Sequence, residues 1–156
     1  MDEKRRIIRD GSILIENDLI SAVGKAIDVT QSDVDTVIEA KDTVITPGFI
    51  NGHCHISYAH ATRGIFPDDL GDDYLVNVFR LQDSMTAEEE LWTSLLAITE
   101  LLSYGTTTIM DPGSTKNVDV CLDAYESSGI RMITGVQLAD AENPYRMKVY
   151  SHEQAL

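Results

Sequence analysis

The chain has 156 residues, with 26 Asp and Glu against 12 Lys and Arg and a formal charge of −14 at pH 7. That length is about one ordinary domain, and 43% hydrophobic with 24% charged residues is the composition of a folded chain rather than a disordered one. The negative field opposes phosphate backbones and anionic bilayers, so no nucleic acid and no membrane is expected among the partners. Lys4, Arg5, Arg6 and Arg9 begin like a signal peptide, but Ile7-Ile8 is followed at once by Arg9-Asp10-Gly11, so no apolar h-region forms. No run approaches a membrane span, and two cysteines make no disulfide framework. A soluble, cytoplasmic chain is expected.

Taken in order, residues 12 to 50 read as short strands. Ser12-Ile13-Leu14-Ile15 and Leu19-Ile20-Ser21-Ala22-Val23-Gly24 flank Glu16-Asn17-Asp18, which predicts a hairpin. Thr36 to Ala40 and Thr43 to Thr46 predict two more strands around a Lys41-Asp42 turn, and Pro47-Gly48 punctuates the second. The period then changes to about 3.6. Tyr74 to Gln82 predicts a helix with Leu75, Val78 and Phe79 on one face. Thr86 and Glu89 form a capping box before a helix striped by Leu91, Leu95, Ile98 and Leu102, which Gly105 ends. Residues 106–110 read as a strand. Asn117 can cap a helix with Val118, Cys121, Leu122 and Tyr125 inward, stopped by Gly129, and residues 130–136 read as another strand. Alternating strands and helices imply a parallel sheet.

The chemistry lies in Ile45-Thr46-Pro47-Gly48-Phe49-Ile50-Asn51-Gly52-His53-Cys54-His55. On extended backbone, residues i and i+2 face the same way. His53 and His55 can therefore reach one metal ion, while Cys54 points to the other side. Imidazole suits Zn, Fe, Ni and Cu, so the pair alone does not choose the metal. A bare His-x-His pair also arises by chance, as two surface or packed histidines. Its place favours the metal: it follows a strand and a Pro-Gly turn and opens a run of β/α units, and parallel barrels carry their active sites at the carboxyl ends of strands.

That stretch resembles the first barrel strand of the amidohydrolase superfamily. Residues 101–108 resemble the end of the first helix and the second strand in the same family, and residues 12–42 the small β-sandwich before the barrel. Residues 56–67 are most similar to the branch of chlorohydrolases, aminohydrolases and phenylurea hydrolases. The resemblance implies an α/β fold, a partial TIM-type barrel of the first three β/α units or fewer, preceded by a β-sandwich segment. Residues 1–43 would belong to the sandwich (composite) domain and 44–156 to the N-terminal part of the barrel. It further implies a divalent metal, Zn or Fe, with His53 and His55 as ligands. The metal activates a water that attacks an amide, urea, amidine-like or halogenated ring carbon of a small-molecule substrate, expelling ammonia, an amine or halide.

The family's other ligands, two histidines and an aspartate from strands five, six and eight, have no counterparts in a chain with three barrel strands at most. His60, in the loop after the first strand, is a candidate substrate contact, or else an exposed loop histidine. Arg63 is another, or else an exposed loop arginine. Asp111, at the carboxyl end of the second strand, either lines the site or forms the turn before Pro112-Gly113. His152 is expected to be solvated, Cys54 to be a small buried hydrophobe, and Glu88-Glu89-Glu90 to complement a helix N-terminus.

A complete barrel needs about 250 residues, whereas 113 remain from Val44 onward. In the family a first sandwich strand precedes the piece resembling residues 1–6, so Met1 is expected to match an internal methionine of a longer frame. Two histidines on one strand would hold a metal weakly if at all, and three strands leave an open edge that calls for self-association or a partner chain. Three readings follow: the N-terminal portion of a metal-dependent amidohydrolase, inactive alone; a non-catalytic binding or assembly module; or one half of a split hydrolase. The first is preferred.

Overall fold

The computed structural model describes residues 3–113, 115–143, 145 and 149–155; Met1 lies outside them. The chain divides between Pro47 and Gly48 into two compact units.

The first unit holds one hairpin. β1 (Ser12–Glu16) and β2 (Leu19–Gly24) pair antiparallel, Ile13 opposite Val23 and Glu16 opposite Leu19. Asn17 makes the turn at φ 59°, a left-handed conformation that Asn tolerates. Ile15, Leu19 and Ile20 remain exposed. The strands expected at 36–40 and 43–46 do not form. The turn between them does: Asp42 takes φ 60°, and the Thr43 N–H and hydroxyl donate to the Ala40 carbonyl at 3.3 and 2.6 Å. The flanking segments have no strand partner among the described residues, and an extended segment without a ladder has nothing to satisfy its backbone except water.

The second unit is a mixed α/β body around a parallel sheet. β3 (Phe49–Asn51), β4 (Thr106–Asp111) and β5 (Arg131–Thr134) lie in the order β3-β4-β5, Ile50 beside Thr108 and Ile109 beside Met132. Three α-helices separate β3 from β4: α1 (Ser57–Thr62), α2 (Asp73–Ser84) and α3 (Ala87–Ser103). α4 (Val118–Ser128) separates β4 from β5, and a single turn, α5 (His152–Ala155), comes last. The parallel order expected from the alternation of strands and helices is present.

One face of the sheet carries the core. Ile109 of β4 packs with Ala97 and Ile98 of α3 and with Cys121, Ala124 and Tyr125 of α4, joined by Ile56 and Ile130. The other face is bare: Ile50 is 76% exposed, and Met110 and Ile133 also face solvent. α3 starts at the expected capping box, the Glu89 N–H reaching Thr86 Oγ1 at 3.2 Å and the Thr86 N–H reaching Glu89 Oε2 at 2.8 Å. Leu91, Leu95 and Ile98 face the core as expected, but Leu102 surfaces. On α2, Val78 is buried whereas Leu75, expected inward, is exposed.

α1 is a departure from the expected loop: its six residues are under two turns, too short to show a 3.6 period. Tyr58 on α1 packs with Val78 and Met85 in a second cluster. β5 is shorter than expected because the chain turns aside after Thr134: the Gln137 N–H donates to the Gly113 carbonyl at 2.9 Å. A Cβ on Gly113, at φ 95°, would stand 2.7 Å from the Gly135 carbonyl oxygen, so this approach requires glycine. Among the described residues no helix is long and apolar enough to cross a membrane.

Candidate functional site

His53 and His55 stand just beyond the carboxyl end of β3. The strand stops at Asn51 and the backbone bends at Gly52 and His53; past the bend the Cys54 N–H donates to the Met110 carbonyl at 3.0 Å and ties the segment to β4 again. Asn51 Oδ1 accepts the His53 N–H at 3.2 Å, an Asx contact that sets the bend. The alternation expected of extended backbone then holds. Cys54 packs against the core, where burial and then the Asp111 carboxylate push its thiol pKa up, away from nucleophilic use. The imidazoles turn the other way and meet edge to face, centroids 4.9 Å apart at 87°. Their Nε2 atoms are 3.2 Å apart. Two nitrogens each about 2.0–2.1 Å from a tetrahedral zinc stand about 3.3 Å apart, so this spacing suits a shared ion.

Behind His55 stands Asp111, buried at the end of β4. The His55 Nδ1 to Asp111 Oδ1 distance is 3.8 Å, an ion-pair separation beyond hydrogen-bond length. The same Oδ1 accepts the Gly113 N–H at 3.0 Å, so Asp111 both forms the turn and faces the site. A carboxylate behind a ligating imidazole selects which ring nitrogen stays open. Burial holds the His55 pKa below the ordinary histidine value, against the opposing pull of Asp111. That favours the neutral ring a metal needs. Tyr58 lies against His55 with centroids 5.5 Å apart, and burial pushes its hydroxyl up to about 12. Among the described residues no third His, Cys, Asp or Glu completes a metal-holding group with the pair.

His60 and Arg63 are gathered elsewhere. His60 sits on α1, not in a loop, with its side chain 10% exposed. Arg63 Nη1 donates to both Glu100 oxygens at 3.0 Å, and its Nη2 lies 2.6 Å from His60 Nε2. A guanidinium only donates, so His60 Nε2 accepts from it. Glu100 Oε2 is 3.2 Å from the same nitrogen. Burial and Arg63 hold the His60 pKa below its ordinary value despite Glu100, and Arg63 in turn holds the Glu100 carboxyl below the usual carboxylate range. His152 is exposed on α5.

Sequence reasoning missed Glu90. It stands in the first turn of α3, as expected of the acidic run, but it is also 0% exposed and bonded to Ser57, Lys116 and Asn117. Its phase was the available signal: Glu90, Ser94 and Ala97 recur at i, i+4 and i+7, and all three are buried. Asn117 stands at the cap position of α4 but makes no side-chain cap bond there, because its amide reaches Glu90.

Residues 44–155 match the family model described as the amidohydrolase family. The chain is 37% identical over 131 residues to a 5'-deoxyadenosine deaminase of Methanobrevibacter smithii, covering 83% of this chain and 29% of that protein. It is 37% identical over 137 residues to a 5-methylthioadenosine/S-adenosylhomocysteine deaminase of Carboxydothermus hydrogenoformans, covering 86% and 31%. Among solved structures it is similar to the atrazine chlorohydrolase TrzN of Arthrobacter aurescens TC1 complexed with zinc, at a TM-score of 0.76 and 25% identity over 90% of this chain and 34% of that one. The chain thus spans about a third of the length of the relatives it matches.

Proposed function

The chain belongs to the amidohydrolase family, and from that premise we propose that it is the N-terminal portion of a metal-dependent hydrolase acting on a small molecule. The observation that carries this reading is the pair of Nε2 atoms of His53 and His55, 3.2 Å apart beyond a parallel strand. A divalent ion held there, zinc or iron, supplies an acidified water able to attack at neutral pH. The chain's own part is to keep both imidazoles convergent, with Asp111 and Tyr58 fixing His55 from behind. The deaminase relatives support scission of a non-peptide C–N bond, and the chlorohydrolase supports C–Cl. Asp111 is assigned to the site, and His60 and Arg63 are assigned to the joint between α1 and α3 rather than to substrate.

In this reading residues 1–43 are part of a β-sandwich and 44–156 the first portion of a TIM-type barrel. The bare face of Ile50, Met110 and Ile133 supports it, as does the position of β3 and β5, each bonded only to β4 among the described strands. Further β/α units would cover that face and supply the remaining ligands and catalytic groups. The free cysteines Cys54 and Cys121 fit a cytoplasmic setting. Alone, the chain binds metal weakly and turns over little or no substrate.

Calorimetric titration with Zn²⁺ tests the site. Weak binding that disappears in both His53→Ala and His55→Ala is expected; binding that survives either substitution, or none in the unsubstituted chain, sinks the metal reading. Ammonia and chloride release from adenosine derivatives and chlorotriazines tests the second part. Zinc-dependent turnover lost in His53→Ala would overturn the inactivity assigned to the chain alone.

A further inference from the structure

Glu90 lies on α3, outside the metal pair, and is 0% exposed. Its Oε1 accepts the Ser57 hydroxyl at 2.9 Å and the Lys116 N–H at 2.7 Å; its Oε2 accepts the Asn117 N–H at 2.7 Å and the Asn117 side-chain amide at 2.8 Å. All four contacts are donors, the set a carboxylate can satisfy. Burying a carboxylate is costly, and helix packing alone would be served as well by an apolar side chain of similar volume. What this side chain adds is therefore in the groups it joins.

Those groups come from two loops. Ser57 is two residues beyond His55 and opens α1, on the segment that leaves the carboxyl end of β3. Lys116 and Asn117 lead into α4, on the segment that leaves the carboxyl end of β4 after Asp111. The same segment is fixed again by Lys116 Nζ, which donates to the Asp83 carbonyl in the last turn of α2 at 2.6 Å. Two backbone N–H groups just ahead of α4, those of Lys116 and the cap residue Asn117, thus find their acceptor in a neighbouring helix.

We infer that Glu90 is a positioning residue: its carboxylate clamps the β3–α1 loop to the β4–α4 loop, and so fixes where His53 and His55 stand relative to Asp111. The consequence for metal rests on the reading under Proposed function, whereas the clamp rests on the hydrogen bonds alone. In Glu90→Gln one acceptor oxygen becomes an amide NH₂ facing backbone N–H donors, at unchanged volume. Ser57→Ala removes only the link to the β3 side.

Hydrogen exchange on the metal-free chain decides the clamp. Glu90→Gln is expected to speed exchange about tenfold in both 52–57 and 112–118, with α2 and the hairpin within about twofold of the unsubstituted chain. Ser57→Ala, the milder change should Glu90→Gln fail to fold, is expected to speed exchange in 52–57 alone. Acceleration spread evenly over the whole second unit, or none in 52–57 for either variant, overturns the inference. Zinc titration separates the two levels: an affinity drop of about tenfold in Glu90→Gln is expected of a residue that places ligands. A chain that binds no zinc sinks the metal reading, and the exchange result still decides the clamp.

Discussion

Two histidine–carboxylate groups lie close together in the chain, one just before α1 and one reaching across from it to α3, and they are built oppositely. In the first, the carboxylate of Asp111 is buried and the imidazole of His55 partly open, with Nε2 turned toward His53 Nε2. In the second, the imidazole of His60 is the more buried partner, Glu100 is the more open one, and Arg63 places a guanidinium nitrogen 2.6 Å from Nε2. Residue type does not separate them. The difference is what faces the ring nitrogen: a second imidazole nitrogen in one case, a fixed cation in the other. A metal ion is attracted to the first arrangement and repelled by the second.

Zinc should break the two apart most sharply. At about 100 times its dissociation constant, zinc is expected to stabilise the unsubstituted chain by about 2.7 kcal/mol. The stabilisation should persist in His60→Ala and vanish in His55→Ala, read as the zinc-induced shift of a thermal melt. Equal loss in both variants would mean that the two groups act as one site.

The next effect is that of the carboxylates. Asp111→Asn is expected to weaken zinc binding about 10- to 100-fold, since it removes the charge behind His55. Glu100→Gln should leave zinc affinity unchanged. Nitrogen-15 shifts of the His55 ring should show Nδ1 losing its preference for the proton in Asp111→Asn, a change that mere loosening of the fold would not produce.

A smaller effect is expected at Arg63. Replacing it by alanine removes the cation that helps to hold the His60 pKa down, so the His60 titration midpoint should rise in a proton-resonance titration. Zinc affinity should stay as it was. A fall in zinc affinity would place Arg63 in the site after all.

The same contrast explains what the sequence could reveal. The His-x-His spacing is local, and the two rings converge even though the strand ends at Asn51, with the Asn51–His53 and Cys54–Met110 contacts holding the segment. The hairpin at 12–24 and the capping box at Thr86 are equally local, and both are present. Residues 36–46 have the strand composition but no partner among the described residues, and partners are not written in a segment's own pattern. α1 is too short to show a period. The joining of His60, Arg63 and Glu100 spans 37 to 40 positions and depends on how α1 lies on α3, as Glu90 depends on three segments meeting. Such groups become legible only after the elements are packed.

The smallest and most discriminating expectation concerns acid. Burial and Arg63 hold the His60 pKa below its ordinary value of 6.5, and burial does the same at His55. As pH falls from neutrality, the unfolded chain takes up these protons before the folded one does. Stability from this source is therefore complete above about pH 6.5 and is lost as pH falls through the lower folded values. Glu100 is also held low, but its loss begins only below the ordinary carboxylate value of 4.5. Acid should thus weaken the chain in two stages. Urea midpoints between about pH 7.5 and 5 should fall less steeply in His60→Asn than in the unsubstituted chain, because asparagine takes up no proton. Glu100→Gln removes the carboxylate that pulls the His60 pKa up, so it should keep at least the full slope in that range and flatten it only below about pH 4.5, where its carboxyl would otherwise titrate. If His60→Asn keeps the full slope above pH 5, His60 is not held neutral by its burial, and the contrast between a closed and an open imidazole rests on His55 alone.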